Sequence, residues 1–263
     1  MTAYDAGVLA SELGFANELI DRAASIAMPL FRRGPEVRMK DDDTPVTKAD
    51  LEIEEMVRRE VARRFPRDAV LGEEGGGSLE DAPRVWVVDP IDGTKNFAAG
   101  VQVWGTLLAL FEGGEPVLGA VGVPALGERY EAVRGRGATL NGALIRVSEV
   151  ERLDRAAVCH YATEAWLDGP HEGALRDLDR AAYRSVGFTD FWGHCLVARG
   201  SVEVVLEPQL RIWDWGALKV LLEEAGGRMT TFEDGPVSDR SSVLTTNGRL
   251  HRAVLEVMGR RAG

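Results

Sequence analysis

Two carboxylates, Asp89 and Asp92, flank a proline in the stretch Arg84-Val85-Trp86-Val87-Val88-Asp89-Pro90-Ile91-Asp92-Gly93-Thr94-Lys95-Asn96-Phe97. The β-branched run Val85 to Val88 predicts a buried strand that delivers them. Pro90 removes a backbone donor and fixes φ, so the strand is expected to end at the carboxylates. Gly93 and Thr94 then open a tight turn, with free N–H groups if a short helix starts there. Such a strand end suits a divalent metal ion bound to a phosphate. The plainer reading is a solvated turn, because Asp, Pro and Gly are ordinary turn residues.

Three further stretches carry carboxylates that could join them. Ala69-Val70-Leu71-Gly72 reads as a short strand, followed by Glu73-Glu74 and then Gly75-Gly76-Gly77. Adjacent glutamates before a glycine run are unusual unless something neutralises them. Asp214 lies between Trp213 and Trp215, where an apolar-faced helix begins. A helix N-cap would explain it, although the two tryptophans argue for a less exposed setting. Asp50 falls in the first turn of a helix near 49–64 that Thr47 could cap, and the helix dipole alone would account for it. Several such groups in one place could not all ionise without cations. Mg²⁺ takes oxygen ligands in octahedral geometry and keeps water and substrate phosphate in its shell. No cluster of His or Cys competes, so Zn²⁺ is a poor fit. His160, His171 and His251 stand alone and read as structural or surface residues.

Composition narrows the classes. The 263 residues are 45% hydrophobic and 28% charged, a globular composition, and the net charge of −11 makes nucleic acid a poor partner. Cys159 and Cys195 are too few for a disulfide framework and fit a reducing cytoplasm. No basic leader opens the chain, and no apolar run approaches the ~18 residues of a membrane helix. The length fits a single domain, 1–263, of two lobes sharing one active site, roughly 1–145 and 146–263.

The elements that must position the carboxylates follow from periodicity. A long amphipathic helix is expected over residues 4 to about 31, kinked at Met28-Pro29 and broken at Gly34-Pro35. Residues 36–48 predict a loop or weak hairpin, with Asp41–Asp43 in a solvated turn. In the helix at 49–64, Leu51, Ile53, Met56, Val57 and Val61 are assigned to one apolar face. Beyond the central stretch, 103–111, 117–123 and 129–133 predict an antiparallel meander, and Asn141-Gly142 a hairpin turn. Strands are expected at 156–161, 201–206 and 243–246. Helices are expected at 171–183, 191–199, from Asp214 to Gly226-Gly227, and at 249–258.

Taken together, Gly72-Glu73-Glu74, Asp89-Pro90-Ile91-Asp92-Gly93-Thr94-Lys95-Asn96-Phe97, and Trp213-Asp214 with Glu224-Ala225-Gly226-Gly227 resemble the three signature stretches of the inositol monophosphatase superfamily. The resemblance runs over nearly the whole chain. It implies an α/β (α+β) fold, a layered α/β/α/β/α sandwich with mixed sheets. It implies a metal-dependent phosphate monoester hydrolase using two or three Mg²⁺ ions, with Mn²⁺ able to substitute, lithium sensitivity, and a homodimer. By the same resemblance, Glu73, Asp89 and the Ile91 carbonyl hold the first metal, and Asp92 and Asp214 complete the second while also facing substrate. Gly93 and Thr94 give backbone N–H groups to the phosphate. Thr94 and Asp50 match the pair that activates the attacking water. Lys40 matches a mobile segment that covers the site and shapes a third, weaker metal position.

The resemblance implies a small phosphorylated alcohol as substrate. In the segment around Gly187-Phe188-Thr189-Asp190-Phe191, an aspartate beside aromatics is similar to the histidinol-phosphate phosphatase branch. So is Val101-Gln102-Val103-Trp104-Gly105. Asp190 or Glu207 could pair with the amine of histidinol, although Asp190 also reads as a helix N-cap. Inositol monophosphate or another sugar phosphate is the alternative substrate. A regulatory binding protein is the alternative class, and the intact carboxylate set weighs against it.

Overall fold

The computed structural model describes residues 9–39, 45–161, 163–187 and 190–259. The chain groups into two compact units. One runs to Ala143 and takes in Trp213–Leu221; the other comprises Leu144–Ile212 and everything from Leu222 onward.

In the first unit, α1 spans Ala10–Arg33 and passes through Pro29 before Gly34, at φ 80°, ends it. A two-stranded hairpin follows, β1 (Val37–Met39) against β2 (Pro45–Thr47). Lys40 and Asp41–Asp43 lie outside the described residues. Helix α2 (Lys48–Arg64) opens with a capping box: Thr47 Oγ1 accepts from Ala49 N, and Asp50 Oδ2 accepts from Thr47 N. Its inner face is made by Asp50, Ile53, Glu54, Val57 and Val61, whereas Leu51 is half exposed. Leu51 therefore does not join the apolar face expected of it. At 100° per residue it points away once Asp50 and Ile53 face inward.

Seven strands form one sheet in sequence order: β3 (Ala69–Gly72), β4 (Arg84–Asp92), β5 (Gly105–Glu112), β6 (Glu115–Val123), β7 (Glu128–Val133), β8 (Ala138–Leu140) and β9 (Ala143–Ile145). A short helix, α3 (Thr94–Ala99), stands between β4 and β5. Strand β3 runs parallel to β4, and from β4 to β8 the pairing is antiparallel, the expected meander. Asn141 and Gly142, at φ 50° and 80°, form the two-residue turn between β8 and β9.

Helices α1 and α2 cover one face of the sheet, packing Phe15, Ile20, Ile53 and Val57 with Trp86, Val88, Leu108 and Leu118. The other face of Val85–Val88 is buried too, which is why this strand reads as continuous rather than alternating apolar.

In the second unit, β10 (Ala157–His160), α4 (Glu172–Ala181), β11 (Arg184–Val186), α5 (Asp190–Ala198) and β12 (Val204–Leu210) come first. Helix α6 (Ile212–Glu224), whose Trp213–Leu221 belong to the first unit, follows along the chain, and β13 (Arg228–Thr230), β14 (Ser241–Thr246) and α7 (His251–Gly259) complete the second. The five strands are ordered β11-β10-β12-β14-β13, parallel around β10 and antiparallel around β14. Val158, Val204, Leu206 and Leu244 pack with Leu175 and Leu178 of α4 and Val254 of α7. His251 is buried between Thr230 and Thr246, and His194 Nδ1 meets Thr245 Oγ1 at 2.8 Å. The expected α/β class is what the chain forms. No described helix is long and apolar enough to cross a membrane.

Candidate active site

Strand β4 does not stop at Asp89. It continues through Pro90 to Asp92, but its register against β5 shifts between those two aspartates. Such an irregularity lets proline stay in a strand without losing a ladder bond, and it re-aims side chains. The Pro90 carbonyl accepts from Thr106 Oγ1 at 2.7 Å. Gly93 follows at φ 81°, and a Cβ there would sit 2.9 Å from the Val103 carbonyl oxygen. Only glycine makes this turn without strain. Behind it, Phe97 and Trp104 meet edge to face, 4.8 Å apart, and brace α3.

Asp214 reaches the same end of the sheet because α6 lies directly on β5 and β6. A Cβ on Gly119 would be 2.3 Å from the Ala217 carbonyl oxygen, and one on Gly216 would be 2.8 Å from the Phe111 ring. The two glycines let helix and sheet backbones approach closely. Asp214 sits in the first turn of α6 and is not its cap, since Asp239 Oδ1 accepts from Ile212 N at 3.0 Å. Trp215 beside it is buried against Phe111.

One oxygen from each of Asp89, Asp92 and Asp214 lies within 4.8 Å of the others. Asp89 is buried, and its Oδ1 has no hydrogen-bond partner. Burial, then the charges of Glu73, Asp92, Asp214 and Asp50, push its carboxyl well above the ordinary value. Glu73 is not in the tight group of three, yet it acts on Asp89 more strongly than any other charge. A buried, partnerless carboxylate oxygen amid like charges is costly in a protein alone. An oxygen-seeking divalent cation removes that cost, so the residues present fit such an ion.

Asp50 is also buried, and burial is the main reason its pKa rises to about 7, with Glu74 and Glu73 adding to it. Hydrogen bonds from Thr47 oppose the rise; N and Oγ1 of Thr47 both meet Asp50 Oδ2, at 2.8 and 2.5 Å. Thr94 donates its hydroxyl to the Ile91 carbonyl at 2.9 Å. Asp50's hydroxyl partner is thus Thr47. Of the remaining expected residues, Asp190 begins α5 at φ 43° and Glu207 is buried on β12; both belong to the second unit. Phe188 and Thr189 lie outside the described residues.

Two residues near the site were not anticipated. Glu54 is buried, and its carboxylate accepts from Glu74 N and Gly75 N, while Arg58 grips it from the next turn of α2. The helical spacing Asp50–Glu54–Arg58 on a core-facing side was a readable signal, since a charged residue on an apolar face demands a partner.

The inositol monophosphatase family profile matches residues 9–260. The histidinol-phosphatase of Mycobacterium tuberculosis is 41% identical over 250 residues, 93% of this chain and 96% of that one. The histidinol-phosphatase of Streptomyces coelicolor is 38% identical over 260 residues, 95% and 97% of the two chains. Among solved structures, an inositol monophosphatase from Zymomonas mobilis superposes with a TM-score of 0.85 at 30% identity, covering 96% of this chain and 99% of that one. Fold, carboxylate group and relatives agree: the chain belongs to the inositol monophosphatase family.

Proposed function

We propose that this protein is a Mg²⁺-dependent phosphatase that hydrolyses histidinol phosphate to histidinol and inorganic phosphate. The observation that carries the chemistry is the group Asp89, Asp92 and Asp214, with its buried, partnerless Asp89 oxygen. The two histidinol-phosphatases, matched over more than nine tenths of both chains, support the substrate.

Asp89, Asp92 and Asp214, with Glu73 and the Ile91 carbonyl, would hold two ions. Bound there, Mg²⁺ supplies Lewis-acid stabilisation of charge developing on phosphoryl and leaving oxygens, and lowers the pKa of water. The chain's own groups do the rest. The N–H groups of Gly93 and Thr94 hold the phosphate. The Thr94 hydroxyl donates to the Ile91 carbonyl, so its oxygen is left to accept a hydrogen bond from the attacking water and orient it. Both Thr47 bonds fall on one Asp50 oxygen, which leaves Oδ1 for proton transfer. Burial raises that carboxyl toward neutrality in the metal-free protein, the direction a general base needs. Recognition of the protonated amine is assigned to Asp190 and Glu207, whose charge is complementary to it. The homodimer implied by the resemblance belongs to the same proposal.

The test is phosphate release by purified protein with Mg²⁺ over histidinol phosphate, inositol 1-phosphate and fructose 1,6-bisphosphate. Histidinol phosphate is expected to give the highest kcat/KM. Faster hydrolysis of inositol 1-phosphate replaces this reading with a sugar-phosphate phosphatase.

A further inference from the structure

We infer that Glu54, held by Arg58, is a positioning residue for the metal ligand Glu73. The inference rests on the metal-dependent reading above and deepens it. Residues 73–75 form a three-residue loop closed by two reciprocal bonds, Gly72 N to Gly76 O at 3.1 Å and Gly76 N to Gly72 O at 3.0 Å. On its sheet side the loop is tied by Glu73 N to the Val88 carbonyl, one residue before Asp89. On its helix side, the Glu54 carboxylate plugs the loop. Oε2 accepts from Glu74 N at 2.8 Å and Oε1 from Gly75 N at 2.7 Å. Arg58 donates Nε and Nη2 to the same Oε1, at 2.8 and 2.7 Å, and then reaches the loop's flanks. Its Nη1 meets the Val70 carbonyl and its Nη2 the Gly76 carbonyl.

Both glycines at the plug are there to admit it. A Cβ on Gly72 would lie 2.4 Å from Glu54 Cδ, and one on Gly75 would lie 2.6 Å from Oε1. The pair therefore fixes the loop backbone on both sides of Glu74, and with it the start of the Glu73 side chain. A carboxylate is required, because both of its oxygens must accept. An amide in its place turns an NH₂ group toward one of the two backbone N–H donors. Arg58 offsets the buried charge, so the clamp works without a metal of its own. Residues that orient metal ligands typically change metal affinity or activity by 10–100-fold when replaced.

The test uses full-length Glu54→Gln and Gly75→Ala. The second leaves Glu54 chemically intact and pushes its carboxylate out of the loop. Mn²⁺ binding is read from the free-ion electron paramagnetic resonance signal, and activity is titrated with Mg²⁺. In both variants the Mn²⁺ dissociation constant and the half-activating Mg²⁺ concentration are expected to rise about tenfold or more. KM for the phosphate ester at saturating Mg²⁺ should stay near wild type. Wild-type metal affinity in both, whatever their melting temperatures, makes Glu54 a structural residue only and overturns the inference. If Glu54→Gln does not fold, Gly75→Ala decides alone. Wild-type protein that binds no Mn²⁺ overturns the metal reading itself.

Discussion

Replacing Asp89 with asparagine should make the metal-free protein more stable while destroying its activity. The carboxylate is buried, one oxygen is partnerless, and oxygens of Asp92 and Asp214 lie within 4.8 Å. At an effective dielectric constant of ~20, two like charges at 4.8 Å repel by about 3.5 kcal/mol. Without metal, Asp89 escapes much of that by taking up a proton, which sets a ceiling on the cost. Its folded pKa is raised above the ordinary 3.8, so its contribution to stability is greatest at low pH and is lost as pH rises toward the folded pKa. At ~1.4 kcal/mol per pH unit, the penalty at pH 7.5 cannot exceed about 5 kcal/mol, and at pH 5 it is below about 2. Asparagine mimics the protonated form and carries none of it. Urea unfolding in EDTA should show Asp89→Asn more stable by about 2–5 kcal/mol at pH 7.5, with the gap shrinking at pH 5. Adding Mg²⁺ should narrow or close the gap, since metal at a hundred times its dissociation constant stabilises the wild type by about 2.7 kcal/mol. The asparagine variant should gain far less. An Asp89→Asn protein that is less stable than wild type in EDTA at pH 7.5, or a gap independent of pH, would refute this account of the site.

Other expectations follow from the same structure. Activity should vanish in EDTA and return with Mg²⁺ or Mn²⁺, whereas Ca²⁺, with its looser geometry, should bind and inhibit; undiminished turnover in Ca²⁺ would count against an octahedral site. Asp190→Asn or Glu207→Gln should lower kcat/KM for histidinol phosphate about ten- to hundredfold, the worth of one charge-assisted bond, and Asp190→Asn should affect a neutral sugar phosphate less. Unchanged kinetics in both variants would remove them from substrate recognition. Burial lowers the His194 pKa from 6.5 to about 3, and its Nε2 has no partner, so neutral His194 supports the fold above pH 6.5 and that support is lost as pH falls toward 3. Between pH 6.5 and 5 the wild type should lose about 2 kcal/mol more than His194→Asn in urea titrations; equal losses would show that His194 takes up no proton penalty.

Much of the fold was legible because its signals are local. The Thr47 cap and the first-turn Asp50 lie within four residues, the Asn141-Gly142 turn takes two, and Gly34 marks the end of α1 by itself. The grouping of Asp89, Asp92 and Asp214 had a legible signal, because unneutralised acids at strand and helix ends are hard to explain otherwise. The misreadings have a common cause. Leu51 looked apolar and in phase, but the inner face of α2 had room only for the residues the sheet and loop demanded. Pro90 looked like a strand end, but a register shift against β5 keeps the strand going to Asp92.

From the sequence alone came the identity of the acids, the order of the elements and the turn chemistry, all of which depend on near neighbours along the chain. Only the folded structure decided which acids share space. Asp214 joins Asp89 and Asp92 because Gly119 and Gly216 let α6 rest on the sheet. Glu54 meets its donors 20 and 21 residues further along the chain because the 73–75 loop folds back over α2. Close approach between backbones depends on volume in three dimensions, and a linear order of residues carries no record of that volume until the layers pack.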